Sequence, residues 1–306
     1  MADLLLPDGV HVFERGWLSS NNILFVGKGS CALVDSGYCT HSAQTIELVV
    51  ATLGQRPLNF LLNTHLHSDH CGGNAAFQHF YPQLQTHIPP GQASLVSMWD
   101  VDALTYLPTG QLCPRFRYDD LLLPGTEVRL ADRAWQIHAA PGHDPHSIIL
   151  FEPQSRTLIS ADALWQNGFG VVFPEIEGER AFDEVAATLE LIEQLEPRWI
   201  IPGHGPVFPY SAEILARSRS RLSAFVKDPA RHAHHAAKVL LKFKLLEQQQ
   251  LPYSDFSDWA KGLRYFQLIR ERFFSTTSIE DWIAQLTEEL VHSAVAGRNG
   301  AMICNA

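Results

Sequence analysis

The chain has 306 residues and a mass of 34.2 kDa, with 46% apolar and 18% charged residues, which excludes a largely disordered or fibrous design. No apolar run approaches the ~20 residues that cross a bilayer, and the opening MADLLLPDGVHVFERG has no positive charge before its short LLL, so neither a membrane span nor a secretion signal is expected and the cytoplasm is the expected compartment. Residues 1–210 carry 10 Lys+Arg against 23 Asp+Glu, a net −13, and residues 211–306 carry 13 against 10, a net +3, which disfavours a dedicated nucleic-acid binder except through the last third.

Residues 22–26 (NILFV) and 31–35 (CALVD) read as strands joined by the turn Gly27-Lys28-Gly29. Apolar spacing over 40–53 predicts a helix that stops at Gly54, followed by a short buried strand at 60–63 and a helix at 74–80. The middle of the chain continues in the same way, with strands at 135–138, 148–151 and 157–160, an amphipathic helix over 180–195 and a last strand at 199–201. Strands interleaved with helices point to a layered α/β architecture. From residue 211 onward strand signals disappear, and 211–226, 230–249, 255–273 and 278–295 read as helices broken at Pro229 and Pro252. The charge shift falls at the same place. The expected organisation is a catalytic domain over 1–210 and a helical C-terminal domain or extension over 211–306. Five cysteines (Cys31, Cys39, Cys71, Cys113, Cys304) form no CxxC pair and are odd in number, which reads as free thiols.

The segment Asn63-Thr64-His65-Leu66-His67-Ser68-Asp69-His70-Cys71-Gly72-Gly73-Asn74 packs three imidazoles and a carboxylate together directly after a buried strand. His65 and His67 alternate, so on extended backbone their rings share a face, while Asp69 and His70 lie where the chain turns into the next helix. Gly72 and Gly73 permit a tight turn behind them. Two faces loaded with ligands can serve two metal ions. Three more candidates each follow an apolar strand: His143 in APGH, Asp162 in ISAD and His204 in IPGHG. Open α/β sheets place sites beyond strand ends, and Pro-Gly puts both late histidines on turns. One such histidine alone is more often a hydrogen-bonded structural residue. The dense cluster and the twice-repeated Pro-Gly-His are not explained by packing.

The pattern HxHxDH, then PGH, Asp and GH, with Asp35 ending a strand before Ser36-Gly37, resembles the five motifs of the metallo-β-lactamase-fold hydrolases over roughly residues 10–210. The resemblance implies an α/β fold, a four-layer αββα sandwich with a dinuclear site between its sheets, followed here by a small helical C-terminal domain. It implies that His65, His67 and His143 bind one metal and Asp69, His70 and His204 the other. Asp162 would bridge them, Asp35 would support the cluster from behind, and Asp69 would be catalytic as well as a ligand. Imidazole and carboxylate donors suit two divalent ions, zinc first, with Fe or Mn also accepted. Two cations sharing a water lower its pKa towards ~7, so the expected chemistry is attack by a metal-bridging hydroxide, with no Ser or Cys nucleophile. Oxygen-reducing diiron relatives of this fold carry Glu where this chain has His67, which favours hydrolysis over redox chemistry.

Cys71 reads as structural. His146, where many family members carry a small residue, is a candidate substrate contact together with Trp165 and Phe169. Phe173, Met98 and Trp99 are further candidates to line an apolar pocket. Arg115 and Arg117 could grip a substrate anion, although a solvated loop is the plainer reading. His232 and His235 are helical neighbours, yet they and His234 read as a solvent-facing helix, and Lys238, Lys242 and Lys244 as its soluble face.

The expected reaction is hydrolysis of an acyl bond (thioester, ester or lactone) in a small metabolite. The glyoxalase II branch resembles this chain in THLHSDHCGGN and shares a helical extension, but its glutathione-binding residues find no counterparts in this C-terminus. The alternative is a metal-dependent phosphodiesterase or endoribonuclease, since a mitochondrial β-lactamase-like group pairs this core with a small helical domain. The basic last third favours that alternative and the acidic core opposes it. A binding protein on a decayed hydrolase fold is disfavoured because all seven ligand positions are filled, and a true β-lactamase because no secretion signal is read. The expected partner is a small molecule, with a homodimer left open.

Overall fold

Short apolar runs between turns pair into two six-stranded sheets in a computed structural model that describes residues 6–306. Residues 1–5, which carry part of the segment read as lacking a secretion signal, lie outside the described residues. The first sheet runs in chain order: β1 (Val10–Phe13), β2 (Asn22–Val26), β3 (Cys31–Val34), β4 (Phe60–Leu62), β5 (Gln85–Ile88) and β6 (Asp120–Leu121). Its first three strands are antiparallel, and β3 to β6 are parallel. The second sheet is β7 (Glu127–Leu130), β8 (Arg133–Ala139), β9 (Ile148–Glu152), β10 (Thr157–Ala161), β11 (Trp199–Pro202) and β12 (Phe208–Pro209), antiparallel except for β10 with β11.

Side chains alternate between the faces of each strand. Ile23, Phe25, Val34 and Leu62 of the first sheet meet Trp135, Ile148, Leu150 and Ile201 of the second in a shared core. The opposite faces bury their own residues, which is why these strands read as continuous apolar runs. Leu24, Leu33 and Leu61 pack under α1 (Ser42–Leu53) and α3 (Asn74–Phe80), with the one-turn α2 (Ser68–Cys71) between those helices in sequence. Further along, α4 (Ala93–Met98), α5 (Tyr106–Thr109) and α6 (Phe173–Glu177) punctuate the loops. Ile149, Phe151, Leu158 and Ile200 are covered by α7 (Ala181–Leu195) and α8 (Ala212–Lys227). Helix, sheet, sheet and helix form the αββα sandwich.

The rest of the chain is α9 (Pro229–Gln248), α10 (Tyr253–Gly262), α11 (Arg264–Phe273) and α12 (Ile279–His292), gathered around Leu240, Phe256, Phe266 and Trp282. This region differs from the all-helix expectation in two ways. A three-stranded antiparallel sheet joins β13 (Gln250–Pro252), β15 (Met302–Asn305) and β14 (Ala296–Asn299). These strands are too short to show a period of two. The stretch 255–273 is also two helices, parted at extended Leu263, whose φ is −83° and ψ 136°. No helix among the described residues is long and apolar enough to cross a membrane.

Candidate metal centre

The C-terminal ends of β4, β8, β10 and β11 come to one rim of the sandwich, and the histidine-rich turns leave from there. Backbone hydrogen bonds lace that rim across both sheets. Ser20 N donates to Asp69 O at 2.9 Å, Asn21 N to Gly203 O at 2.6 Å, Ser36 N to His70 O at 2.7 Å and Ile148 N to Thr64 O at 2.9 Å. Gly203 has no substitute here, because a Cβ on it would strike an Asp162 carboxylate oxygen and crowd the His70 ring. Asp35 adopts a left-handed backbone (φ 58°), which costs an ordinary side chain of order 1 kcal/mol. The turn aims its carboxylate to accept from Thr64 N–H at 2.9 Å, Thr64 O–H at 2.8 Å and His70 Nδ1 at 2.8 Å.

Three sets of donor atoms converge, each within 4.8 Å: His65 with His67 and His143, Asp69 with His70 and His204, and His65 with His70 and Asp162. His67 Nδ1 lies 3.1 Å from His65 Nε2 and 2.8 Å from His143 Nε2. Asp162 lies between the sets: Oδ2 is 3.4 Å from His143 Nε2 of one and 3.8 Å from His204 Nε2 of the other, and Oδ1 is 3.4 Å from His70 Nε2. His204 Nε2 also lies 3.2 Å from Asp69 Oδ2.

Burial, reinforced by the neighbouring histidines, pushes His65 well below the ordinary imidazole range and His143 down to about 4. Both are neutral at pH 7, with lone pairs facing inward. Burial works against ionisation of Asp162, but His204, His70 and His143 hold its carboxyl well below the usual range. Asp69 is lowered in the same way against burial, by His70 and His204. His70 goes the other way: burial opposes protonation, yet Asp35, Asp162 and Asp69 raise it well above the usual value.

The residues fit a divalent metal pair. Inward imidazole nitrogens at 2.8–3.1 Å need a proton or a metal cation between them. His70 Nε2 is buried with no hydrogen-bond partner among the described residues. Nitrogen and carboxylate donors are the set that zinc and its neighbours bind. Three of the histidines are fixed from behind, as metal-binding histidines commonly are, while His204 Nδ1 is buried with no partner among the described residues. Asp35 holds His70, the Thr64 hydroxyl accepts from His65 Nδ1 at 3.2 Å, and the Val171 carbonyl accepts from His143 Nδ1 at 2.5 Å. Trp165 Nε1 donates to Asp162 Oδ1 at 3.1 Å, and Trp17 stacks on His204 with ring centres 5.4 Å apart. A buried chain of Ser36, Asn74 and Asn63 braces the His70 carbonyl.

A cleft of about 730 Å³ opens beside the cluster, and Trp165, Phe169 and Phe173 line it. Trp17, Thr64 and Val171 carry no sequence signal: one is a loop tryptophan, one a common hydroxyl, and one acts through its carbonyl. His146 is not among the lining residues. Its backbone N–H donates to Asp144 at 2.7 Å and its ring covers Gly91. Met98 is exposed to solvent, Trp99 packs on Tyr106 and Phe116, Arg115 donates to Ser97 O of α4, and Arg117 lies 4.0 Å from Asp119. The Cys71 thiol is buried beside Tyr106 Oη at 3.2 Å and Cys113 Sγ at 3.8 Å, outside the three ligand sets.

The solvent-facing reading of the α9 histidines and lysines needs correction. His232 is buried, and its Nε2 accepts from Val172 N–H at 3.1 Å, next to the loop that carries the Val171 carbonyl. His234 and Lys238 share Glu289 at 2.7 and 3.1 Å, Lys242 donates to Val295 O and Asn305 Oδ1 at 2.6 Å each, and Lys244 pairs with Glu247 at 3.1 Å. Because α9 is central to the C-terminal cluster, it has little free face.

The sequence profile of the metallo-beta-lactamase superfamily matches residues 15–204, more than half of the chain. A hydroxyacylglutathione hydrolase of Anaeromyxobacter dehalogenans is 28% identical over 229 residues, which cover 74% of this chain and 78% of that protein. The acyl-coenzyme A thioesterase MBLAC2 of Gallus gallus is 27% identical over 181 residues, 55% of this chain and 62% of that one. A crystal structure of a beta-lactamase domain protein from Burkholderia ambifaria superposes with a TM-score of 0.60 at 18% identity, covering 100% of this chain and 97% of the other, a likeness of fold.

Proposed function

The chain belongs to the metallo-beta-lactamase superfamily and is a hydrolase whose His/Asp clusters could hold divalent metal, and from that premise we propose that it cleaves an acyl bond, a thioester first, in a small metabolite. One observation carries the reading. Asp162 reaches both histidine sets, its Oδ2 lying 3.4 Å from His143 Nε2 and 3.8 Å from His204 Nε2, at the end of a cleft whose lining is largely apolar and includes no serine or cysteine. Such a site suits an acyl chain and offers no serine or cysteine nucleophile. The two relatives above are named for acyl groups carried on thiols, which supports the same choice.

In this reading His65, His67 and His143 would hold one metal, Asp69, His70 and His204 the second, and Asp162 both. When bound, the metal pair supplies Lewis acidity that activates water near neutral pH and polarises the substrate carbonyl. Zinc is the proposed metal and the cytoplasm the proposed compartment. The protein's own groups prepare the site. Asp35, Thr64 and Val171 bond the outer nitrogens of His70, His65 and His143, so that the inner nitrogens would be the ones offered to a metal. Asp69, which reaches the cleft, is the carboxylate proposed to hold a proton during turnover. Trp17, Trp165 and Phe169 keep bulk water from the acyl chain, and low local dielectric strengthens each charge interaction.

A nucleic-acid substrate is the weaker reading, because the exposed face of α12 carries Glu280, Asp281 and Glu288, which repel phosphates. The test is turnover of an acyl thioester and of a short unstructured RNA by protein loaded in turn with zinc, iron or manganese. Thioester cleavage that stops with chelator is expected. His67→Ala should lose metal and activity together while its far-ultraviolet circular dichroism is kept. RNA cleavage in place of thioester cleavage, or full turnover by the variant, would overturn the assignment.

A further inference from the structure

A second cavity of about 880 Å³ lies between α8, α9 and α12, apart from the metal cluster. Its walls carry Arg217 and Arg221 from α8, Arg231, His235 and Lys238 from α9, and a single carboxylate, Glu289, from α12. That carboxylate is already taken by His234 and Lys238. The three guanidinium groups have no carboxylate partner among the described residues. Arg217 donates to Gln166 O at 3.3 Å, and Arg221 donates to Asn167 O at 3.4 Å and to His235 Nε2 at 2.9 Å. Arg221 also lies over the rings of Phe169 and Phe225, 5.6 and 5.3 Å from their centres.

Like charges gathered in a concave site repel one another, and the repulsion is relieved by an anion from outside. Arginine presents a planar fork that matches phosphate oxygens two at a time. The cavity adjoins the metal cleft, since Arg221 and His235 line both, and Gln166 and Asn167, bonded to the two arginines, line the cleft. A ligand of moderate length could therefore lie with one end at the metals and the other among the arginines.

We propose that the basic cavity binds the phosphate-bearing head of a carrier whose thiol holds the acyl group. The thioester then lies at the cluster, the thiol arm follows the apolar cleft, and the phosphorylated head rests among Arg217, Arg231 and Lys238. Such a substrate is a nucleotide-headed acyl thioester rather than a peptide thioester. The proposal rests on the acyl-hydrolase reading above and adds the identity of the leaving group. An open concave site of this size suits a nucleotide head, whereas a polynucleotide calls for a longer basic track than these helices offer, with acidic α12 beside it.

The first measurement is calorimetric binding of adenosine 3′,5′-bisphosphate to the metal-free protein and to the double variant Arg217→Gln/Arg231→Gln. Arg221 is left in place because it lines the cleft itself and packs over Phe169, which Arg217 and Arg231 do not. Binding that weakens by about tenfold or more in the variant, ~1.4 kcal/mol, is the expected result. No binding, or equal binding by both proteins, would overturn the proposal, as would a short oligoribonucleotide that binds the parent more tightly than the bisphosphate. The second measurement compares kcat/KM for two thioesters with the same acyl group and thiol arm, one with the phosphorylated head and one ending at pantetheine. The parent should prefer the headed substrate by about tenfold or more, and the double variant should lose that preference. Equal preference in parent and variant would also overturn it. If the bisphosphate binds at the arginines but neither thioester is cleaved, the acyl-hydrolase reading has failed and the leaving-group assignment falls with it, while the anion site itself stands.

Discussion

Asp35 joins backbone strain to site chemistry in one residue. Its left-handed φ turns a carboxylate onto Thr64 and His70, and through His70 onto the metal ligands. Asp35→Asn keeps the size and loses the charge. It is expected to weaken metal binding by roughly 10–100-fold, the usual effect of removing a carboxylate behind a metal-binding histidine. Competition with a chromophoric chelator measures this directly, and unchanged affinity would remove Asp35 from the site. Residues of this kind differ in how legible they are. His65, His67, Asp69, His70, His143, Asp162 and His204 stand out because only a few side chains donate to metals and strand-end turns place them. Trp17, Thr64 and Val171 do not, because stacking, a shared hydroxyl and a main-chain carbonyl are roles open to many residue types.

Among the elements, α9 departs furthest from what its sequence suggests. Three histidines and three lysines give it a polar look, yet His232 is buried and accepts from Val172 N–H beside the loop that orients His143. Burial, helped by His235 and Arg221, lowers His232 from the ordinary 6.5 to about 3. The unfolded chain therefore takes up a proton near pH 6.5 that the folded protein refuses. The contribution of neutral His232 to stability is fully present above that pH and is lost as pH falls towards about 3. His232→Ala is expected to cost about 1–3 kcal/mol at neutral pH by leaving a buried N–H unpaired, and to flatten the acid side of the stability curve. Urea unfolding at several pH values reads both effects; parallel curves for parent and variant would rule out the titration. The missed strands have a simpler reason. β6 and β12 are two residues long and β13 three, and such pieces become strands only by pairing with a neighbour.

At the scale of the whole molecule, the charge boundary near residue 211 and the packing boundary do not coincide. Ile214, Leu215, Leu222 and Phe225 of α8 share a cluster with Phe151, Leu158 and Ile200 of the second sheet. We propose that the separate helical unit begins at α9. At ~1.5–3 kcal/mol for each buried side chain, removing α8 forfeits roughly 6–12 kcal/mol, comparable to the stability of an entire domain. A fragment of residues 1–210 is therefore expected to lose its cooperative thermal transition and its metal together. A folded, metal-replete fragment would show that α8 is dispensable. What the sequence determined by itself was the layered α/β class, the order of its main elements and the set of candidate metal-binding side chains, because apolar periodicity and donor chemistry are local properties of the chain. What only the tertiary structure decided was which groups aim those ligands, which polar residues of α9 are buried, and that basic residues of α8 and α9 close into one cavity beside the cleft. Those depend on contacts between segments far apart in sequence, and no local pattern records which distant segment will arrive.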